Sequence, residues 1–281
     1  MEKSQEINIR KAFADKNPKL AKMLPGFVFR FIEKIIHQEE MNGFIREHVD
    51  YKGIDYLNEV IKFFKVRVEI EGRENLPANG RNFFVSNHPL GGLDGLIIIQ
   101  ALHHHYGKSQ ALVNDLLMNF VNLRPFFLPL NKHGSNSREV ALLLDDVYKS
   151  DMPIMSFPAG MVSRMQKDGI REVEWHKNFI IKSVQHQRDV VPIYFVGQNS
   201  SRFYNTAKYR TMLGINANLE MFLLPSEMFR QRNKTVVVRI GKPIPWQTFD
   251  KSKSPSQWAE EVKNMVYSMA SKPIDKRMLQ K

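Results

Sequence analysis

"FFVSNHPLGGLDG", residues 83–95, runs from an apolar segment through a histidine and two glycines to an aspartate. A short apolar run bounded by turn residues has the pattern of a strand buried on both faces. Pro89, Gly91 and Gly92 supply a bend, and Asp94 is placed to cap the helical stretch that follows, Leu93 to His105. A strand-to-helix connection accounts for the glycines and the aspartate. It gives no reason for His88.

The same alternation extends along the chain. Further apolar runs are "ALV" (111–113), "FFLPL" (126–130), "PIMSF" (153–157), "VVPIYFV" (190–196) and "TVVVRI" (235–240). Helix-like stretches lie between most of them, among them Ser137 to Lys149, which opens with a serine cap and a glutamate. The expected fold class is therefore α/β, a mostly parallel sheet with helices on both faces. Chemistry in such sheets gathers beyond the carboxyl ends of the strands. His88, just past the first run, and the "PAG" turn (158–160) after "PIMSF" are both expected on that rim.

Upstream, Leu24, Phe27, Val28, Phe31, Ile32, Ile35 and Ile36 recur at helical spacing, with Arg30, Glu33 and Lys34 between them. A second helical stretch covers Tyr56 to Phe64, beside Lys62 and Lys65. Such helices either pack on the domain or dock a basic, aromatic face into a lipid interface. The expected division is an amphipathic helical region over 1–65 and an α/β domain over 66–281.

The 281 residues contain no low-complexity tract or fixed-period repeat, which removes solenoids and propellers. Lysine and arginine exceed aspartate and glutamate by 41 to 29, so at +12 the surface attracts phosphates, anionic lipid or an acidic protein. Without cysteine there is no disulfide, thiolate metal site or cysteine nucleophile, and the composition suits a reducing compartment. The first residues, "MEKSQEINIRKAFADKNPKLAK", mix charge signs and lack a secretory apolar region. Every apolar stretch is interrupted well before about 18 residues. The expectation is a cytoplasmic protein, peripheral on the inner face of the membrane.

Histidine titrates near neutral pH, and a carboxylate on one ring nitrogen fixes the tautomer that leaves the other free to take a proton. His88 and Asp94 would make such a pair, a triad in which the substrate's own hydroxyl replaces the serine. Spacing alone leaves catalysis and a simple cap both open. "HHH" (103–105) cannot converge on one ion from a helix, where adjacent residues point about 100° apart, so no metal is expected. "GQNSSRFYN" (197–205) offers donors that would line an acyl or acceptor site, or forms a plain polar loop. Leu219, Phe222 and Leu223 read as core in preference to a lipid contact. There is no Gly-x-Ser-x-Gly elbow for a hydrolase, and Ser86 falls inside the presumed strand. No basic element interleaved with aromatics marks a nucleic-acid partner.

"NHPLGGLDG" resembles the first block of the glycerolipid acyltransferases, the 1-acylglycerol-3-phosphate or lysophospholipid acyltransferase superfamily. In the same order, "FFLPLNK" (126–132) resembles its second block, "FPAGMVSR" (157–164) its Phe-Pro-Glu-Gly block and "VVPIYF" (190–195) its late Val-Pro block. "VRIGKPI" (238–244) resembles the closing strand and turn, so the likeness spans about residues 80–245. It departs in three places. Five residues instead of four separate His88 from Asp94; Ala159 stands for the glutamate, with Met161-Val162 for Thr-Arg; and Lys132 replaces an arginine. Gly91 and Gly92 are expected to absorb the added residue. The other departures alter the contacts to a glycerol phosphate, and the variant pattern resembles a haemolysin-like bacterial branch related to enzymes that complete lyso-ornithine or lyso-glycine lipids.

The resemblance implies direct O-acyl transfer from an acyl carrier protein or coenzyme A thioester to a lyso-lipid at an anionic membrane surface. No metal and no further cofactor are implied. His88 would act as base and Asp94 as its orienter. Lys132, Phe157, Pro158, Ala159, Gly160, Ser163 and Arg164 would form the acceptor site, with Arg164 and Lys132 either meeting an acceptor carboxylate or phosphate or standing as ordinary surface cations. The alternatives are a phosphatidic-acid-forming enzyme and a basic lipid-binding module whose dyad has lapsed.

Overall fold

A computed structural model describes residues 6–16, 18–130, 138–166, 169–215 and 218–271. Five helices come first: α1 (Ile9–Lys16), α2 (Pro18–Met23), α3 (Gly26–Ile35), α4 (Gln38–Glu47) and α5 (Gly53–Phe64). Then follow β1 (Arg67–Glu71), β2 (Asn82–Ser86), α6 (Leu93–Tyr106), β3 (Gln110–Asn114), β4 (Phe127–Leu130), α7 (Arg138–Lys149) and β5 (Ile154–Ser156). A small hairpin, β6 (Arg164–Gln166) and β7 (Gly169–Arg171), precedes α8 (Asn178–His186) and β8 (Asp189–Val196). The chain continues with α9 (Ser201–Met212), α10 (Leu224–Phe229), β9 (Thr235–Ile240) and α11 (Pro255–Ser268).

Seven strands form one sheet in the order β1-β9-β8-β2-β5-β3-β4, and β6 and β7 pair separately. Every pairing in the large sheet is parallel except β8 with β9. The expected mixed α/β, mostly parallel architecture is what forms. β2 lies inside the sheet, with Val85 opposite Ser156 of β5 on one side and Pro192 of β8 on the other. The carboxyl ends of these three parallel strands therefore share one rim.

Because side chains alternate across a strand, β2 feeds two cores. Phe84 joins α5 and α6 side chains on one face, among them Leu57, Ile61, Ile97 and Ile98. Phe83 and Val85 join Tyr148, Phe179, Trp258 and Val262 on the other. Arg188 is buried and donates to the carbonyls of Val147 and Tyr148 in the last turn of α7 and of Ser150 and Met152 just beyond it, which fixes the exit of that helix.

The amphipathic helices near the start separate into two kinds. α5 buries Tyr56, Leu57, Val60, Ile61 and Phe64 in the central core, which makes it part of the sheet's cover. α3 buries Phe29, which packs with Ile36 and Ile9 in a small cluster of their own, while Phe27 and Phe31 remain 64% and 58% exposed. Among the described residues no helix is long and apolar enough to cross a membrane.

Candidate active site

The last residue of β2 leads into a loop anchored by Asn87. Its Oδ1 accepts the Phe195 N–H at 2.7 Å and its Nδ2 donates to the Phe195 carbonyl at 2.9 Å, tying the exit of β2 to β8. The loop then reverses through Gly91, whose φ of +82° is rarely open to other residues. A Cβ at Gly91 would also lie 2.8 Å from Leu224 Cδ2 and 2.9 Å from Val162 Cγ2. That reversal delivers α6 with Asp94 in its first turn.

His88 Nδ1 lies 3.0 Å from Asp94 Oδ2, so the two are brought together despite the longer spacing. Asp94 is fully buried, whereas the His88 side chain retains 15% exposure. Burial alone would push the Asp94 carboxyl up, but His88 beside it and amide donors from Leu90 and Gly95 hold it below the usual carboxylate range. An ionised carboxylate accepts only, so the proton of the His88–Asp94 bond sits on Nδ1, the tautomer that in a neutral imidazole leaves the lone pair on Nε2. Leu90 N–H donates to Oδ2 at 2.9 Å and Gly95 N–H to Oδ1 at 2.9 Å, which fixes both carboxylate oxygens.

Phe157, leaving β5, stacks on the His88 ring at 3.7 Å between centroids and 19° between planes. The approach depends on Gly95, because a Cβ there would stand 3.3 Å from Phe157 Cε2. Pro158 to Gly160 turn the chain away: Gly160 has φ +61° and donates its N–H to the Phe157 carbonyl at 2.9 Å. Pro158 accepts the His176 N–H at 3.0 Å. Ala159 is buried in the apolar cluster of Trp175 and Phe179. Ser163 returns to the dyad, its N–H donating to the His88 carbonyl at 2.9 Å.

Arg164 is held within the protein. It meets Glu220 at 2.9 Å, donates to the Val162 carbonyl at 2.9 Å and lies over the Phe203 ring at 5.1 Å. Burial draws its pKa below the ordinary arginine value, against the pull of Glu220. Arg210 bonds the other Glu220 oxygen at 2.9 Å, so one fully buried carboxylate serves two guanidinium groups. Lys132 lies outside the described residues.

The 197–205 stretch does border the loop that carries His88: a Cβ at Gly197 would stand 3.4 Å from Leu90 Cδ2. Ser200 caps α9 and gives both its N–H and its hydroxyl to buried Glu227, at 2.8 and 2.5 Å. Leu223 is core, as read from the sequence, but Phe222 is partly exposed and stacks on Phe13 at 5.6 Å. The Leu219 side chain lies outside what is described. The three histidines end α6; His103 sets its ring edge-on to Phe126, and His104 and His105 are exposed.

Two polar residues beside the dyad carried no sequence signal. Glu172, after β7, accepts the His88 backbone N–H at 2.8 Å and the Ser163 hydroxyl at 2.5 Å. Tyr267 on α11 donates its hydroxyl to the other Glu172 oxygen and receives the Glu172 N–H at 3.1 Å. No spacing rule links positions so far apart. The capping box of Ser254 and Gln257, with Pro255 at the first helical position, marks locally only the start of the helix that carries Tyr267.

A family model described as Acyltransferase matches residues 11–274. Two relatives are both called lyso-glycine lipid O-acyltransferase. The chain is 48% identical over 264 residues to that of Bacteroides thetaiotaomicron, covering 94% of this chain and 97% of the relative. It is 47% identical to that of Phocaeicola vulgatus, covering 94% and 95%. Among solved structures, the 1-acyl-sn-glycerophosphate acyltransferase of Thermotoga maritima aligns over 89% of this chain and 91% of its own, at 16% identity and a TM-score of 0.49.

Proposed function

The chain belongs to this acyltransferase family, and from that premise we propose that it moves a fatty acyl chain from a thioester to the hydroxyl of an amino-acid lyso-lipid, of the glycine class in the first instance. The observation that carries the mechanism is the His88–Asp94 contact at 3.0 Å with its carboxylate buried and its imidazole still reachable. His88 Nε2 takes the proton of the acceptor hydroxyl as the oxygen attacks the thioester carbonyl. The tetrahedral intermediate collapses with loss of the thiolate, which receives the proton back from His88. The products are an ester and a free thiol, and no group is consumed beyond the two substrates. The thiol belongs to acyl carrier protein or coenzyme A.

The altered Phe-Pro-Glu-Gly block supports an acceptor other than a glycerol phosphate. Ala159 offers no charge, and the Arg164 guanidinium is already engaged by Glu220. Around α3, Met23, Phe27 and Phe31 stand exposed beside Arg30 and Lys34, a composition that suits the interface of an anionic membrane.

The test is an acceptor screen with purified protein and an acyl carrier protein thioester. Lyso-glycine, lyso-ornithine and 1-acylglycerol-3-phosphate acceptors are compared by mass spectrometry, with His88→Ala alongside. A diacylated amino-acid lipid, absent from the His88→Ala reaction, is the expected product. Preferential formation of phosphatidic acid would overturn the acceptor assignment, and transfer at full rate by His88→Ala would overturn the mechanism.

A further inference from the structure

We infer that Glu172 is a positioning residue for the acyl transfer, a buried carboxylate that fixes the main chain of His88 and is itself fixed by Ser163 and Tyr267. The inference rests on the proposed role of His88 as base.

Beyond β2 the His88 N–H has left the sheet, and a buried main-chain donor needs a partner. Glu172, 2% exposed, supplies that partner at 2.8 Å. The same oxygen accepts the Ser163 hydroxyl at 2.5 Å, and Ser163 in turn donates its N–H to the His88 carbonyl at 2.9 Å. Both peptide groups flanking the His88 Cα are thereby held from the segment that includes the β6–β7 hairpin. Tyr267 closes the arrangement from α11, donating to the second Glu172 oxygen while accepting the Glu172 N–H at 3.1 Å. Burial and the neighbouring Glu172 push the Tyr267 hydroxyl far above its ordinary pKa, so it remains a donor at any working pH.

The consequence is geometric. Asp94 orients the imidazole from one side and Phe157 covers its face, and both of these contacts are to the ring. The loop is tied at Asn87 to Phe195 and at Leu90 to Asp94, and between those ties Ser163 holds the His88 carbonyl. Glu172 supplies the remaining tie, on the His88 N–H. A displacement of about 1 Å at a catalytic group lowers rates by roughly a hundredfold, so the carboxylate is required for turnover without touching either substrate.

The experiment measures steady-state kinetics, thermal unfolding and the imidazole N–H signal of His88 by NMR in Glu172→Ala, Glu172→Gln, Tyr267→Phe, Ser163→Ala and His88→Ala, each in the full chain. For Glu172→Ala we expect kcat to fall by about a hundredfold, with both KM values within about twofold and the His88 signal lost or broadened at temperatures where the protein is folded. Glu172→Gln keeps an acceptor oxygen for the His88 N–H and should recover about tenfold over alanine. Tyr267→Phe and Ser163→Ala, which remove single hydroxyls, should each lower kcat by several-fold and give the measurement if Glu172→Ala does not fold. Wild-type kcat in Glu172→Ala, Tyr267→Phe and Ser163→Ala, with His88→Ala inactive, would overturn this inference alone. Full activity of His88→Ala would overturn the role of the base and this inference with it. A loss in the Glu172 and Tyr267 variants that tracks only the unfolded fraction, with the His88 signal unchanged, would reduce Glu172 to a structural group and overturn positioning.

Discussion

Asn87 pairs with Phe195 through its side chain as a strand residue pairs through its main chain, one bond of 2.7 Å in and one of 2.9 Å out. The amide thus carries the β2–β8 ladder one step beyond the end of β2 and releases the backbone of residue 87 to turn toward His88. A residue with a peptide-like side chain is what this junction requires.

Asn87→Ala should therefore destabilise the fold by about 2–4 kcal/mol, because the N–H and carbonyl of Phe195 are left without partners in a buried place. Turnover should fall together with stability. Chemical denaturation of the folded variant checks the first effect and kcat the second. A variant as stable as the parent would mean that the β8 groups find water or another partner.

Asp94→Asn keeps the loop bonds to one oxygen but loses the carboxylate that sets the His88 tautomer. The expected fall in kcat is on the order of 10³-fold or more, with donor binding retained. The same carboxylate also sets an acid limit. Its pKa is depressed in the folded protein, so its contribution is fully present above the unfolded-state value, around pH 4, and is lost as pH falls through the lower folded value. Unfolding measured against pH should show wild type losing stability relative to Asp94→Asn across that acidic window and not between pH 6 and 8.

Gly95→Ala tests the Phe157 ring. The added methyl would stand 3.3 Å from Phe157 Cε2, so the ring must give way by a few tenths of an ångström and carry its stacking on His88 with it. A several-fold loss of kcat is expected with little change in thermal unfolding, since alanine is otherwise favourable in a helix. Phe157→Leu should reproduce the kinetic defect. If both variants turn over at the parental rate, the stack has no part in holding the imidazole.

Much of this site was legible in the sequence, for a physical reason. Strands β2, β5, β8 and β9 are buried on both faces and spell themselves as apolar runs, and the loops after β2 and β5 carry the histidine and the "PAG" turn. Edge strand β1 was missed because its "RVEIE" leaves no residue fully buried and alternates charge with apolar groups. Periodicity likewise could not separate α3 from α5: both are amphipathic, and only the tertiary fold decides that Phe64 faces the core while Phe27 and Phe31 face outward. Glu172 and Tyr267 were invisible because nothing local distinguishes a glutamate or tyrosine that reaches His88 from one that meets solvent. Arg164 was visible as a cation near the site, but its partner Glu220 was not.

That partnership yields a sharp asymmetry. Glu220 is fully buried between Arg164 and Arg210, so Glu220→Ala strands two cations and should cost about 3–5 kcal/mol in stability. Arg164→Ala leaves the Glu220–Arg210 pair in place and should cost less. Thermal unfolding of the two variants gives the order. The reverse order would mean that Arg164 is held mainly by Phe203 and the Val162 carbonyl, and that Glu220 finds other donors.

The outward face of α3 gives the last prediction. Met23, Phe27 and Phe31 expose 78%, 64% and 58% of their surface, an apolar projection that water disfavours and a lipid interface accepts. Phe27→Asp with Phe31→Asp should weaken binding to anionic liposomes by tenfold or more, since each change removes buried apolar area and adds a charge that the negative surface repels. Thermal unfolding should stay close to the parent, because neither ring belongs to a core cluster. Deleting residues 1–65 would not be equivalent, since it would also remove α5, whose Leu57 and Phe64 lie in the central core. Sedimentation with vesicles of rising anionic content separates the two contributions. A double variant that binds as tightly as the parent would move the docking face away from α3.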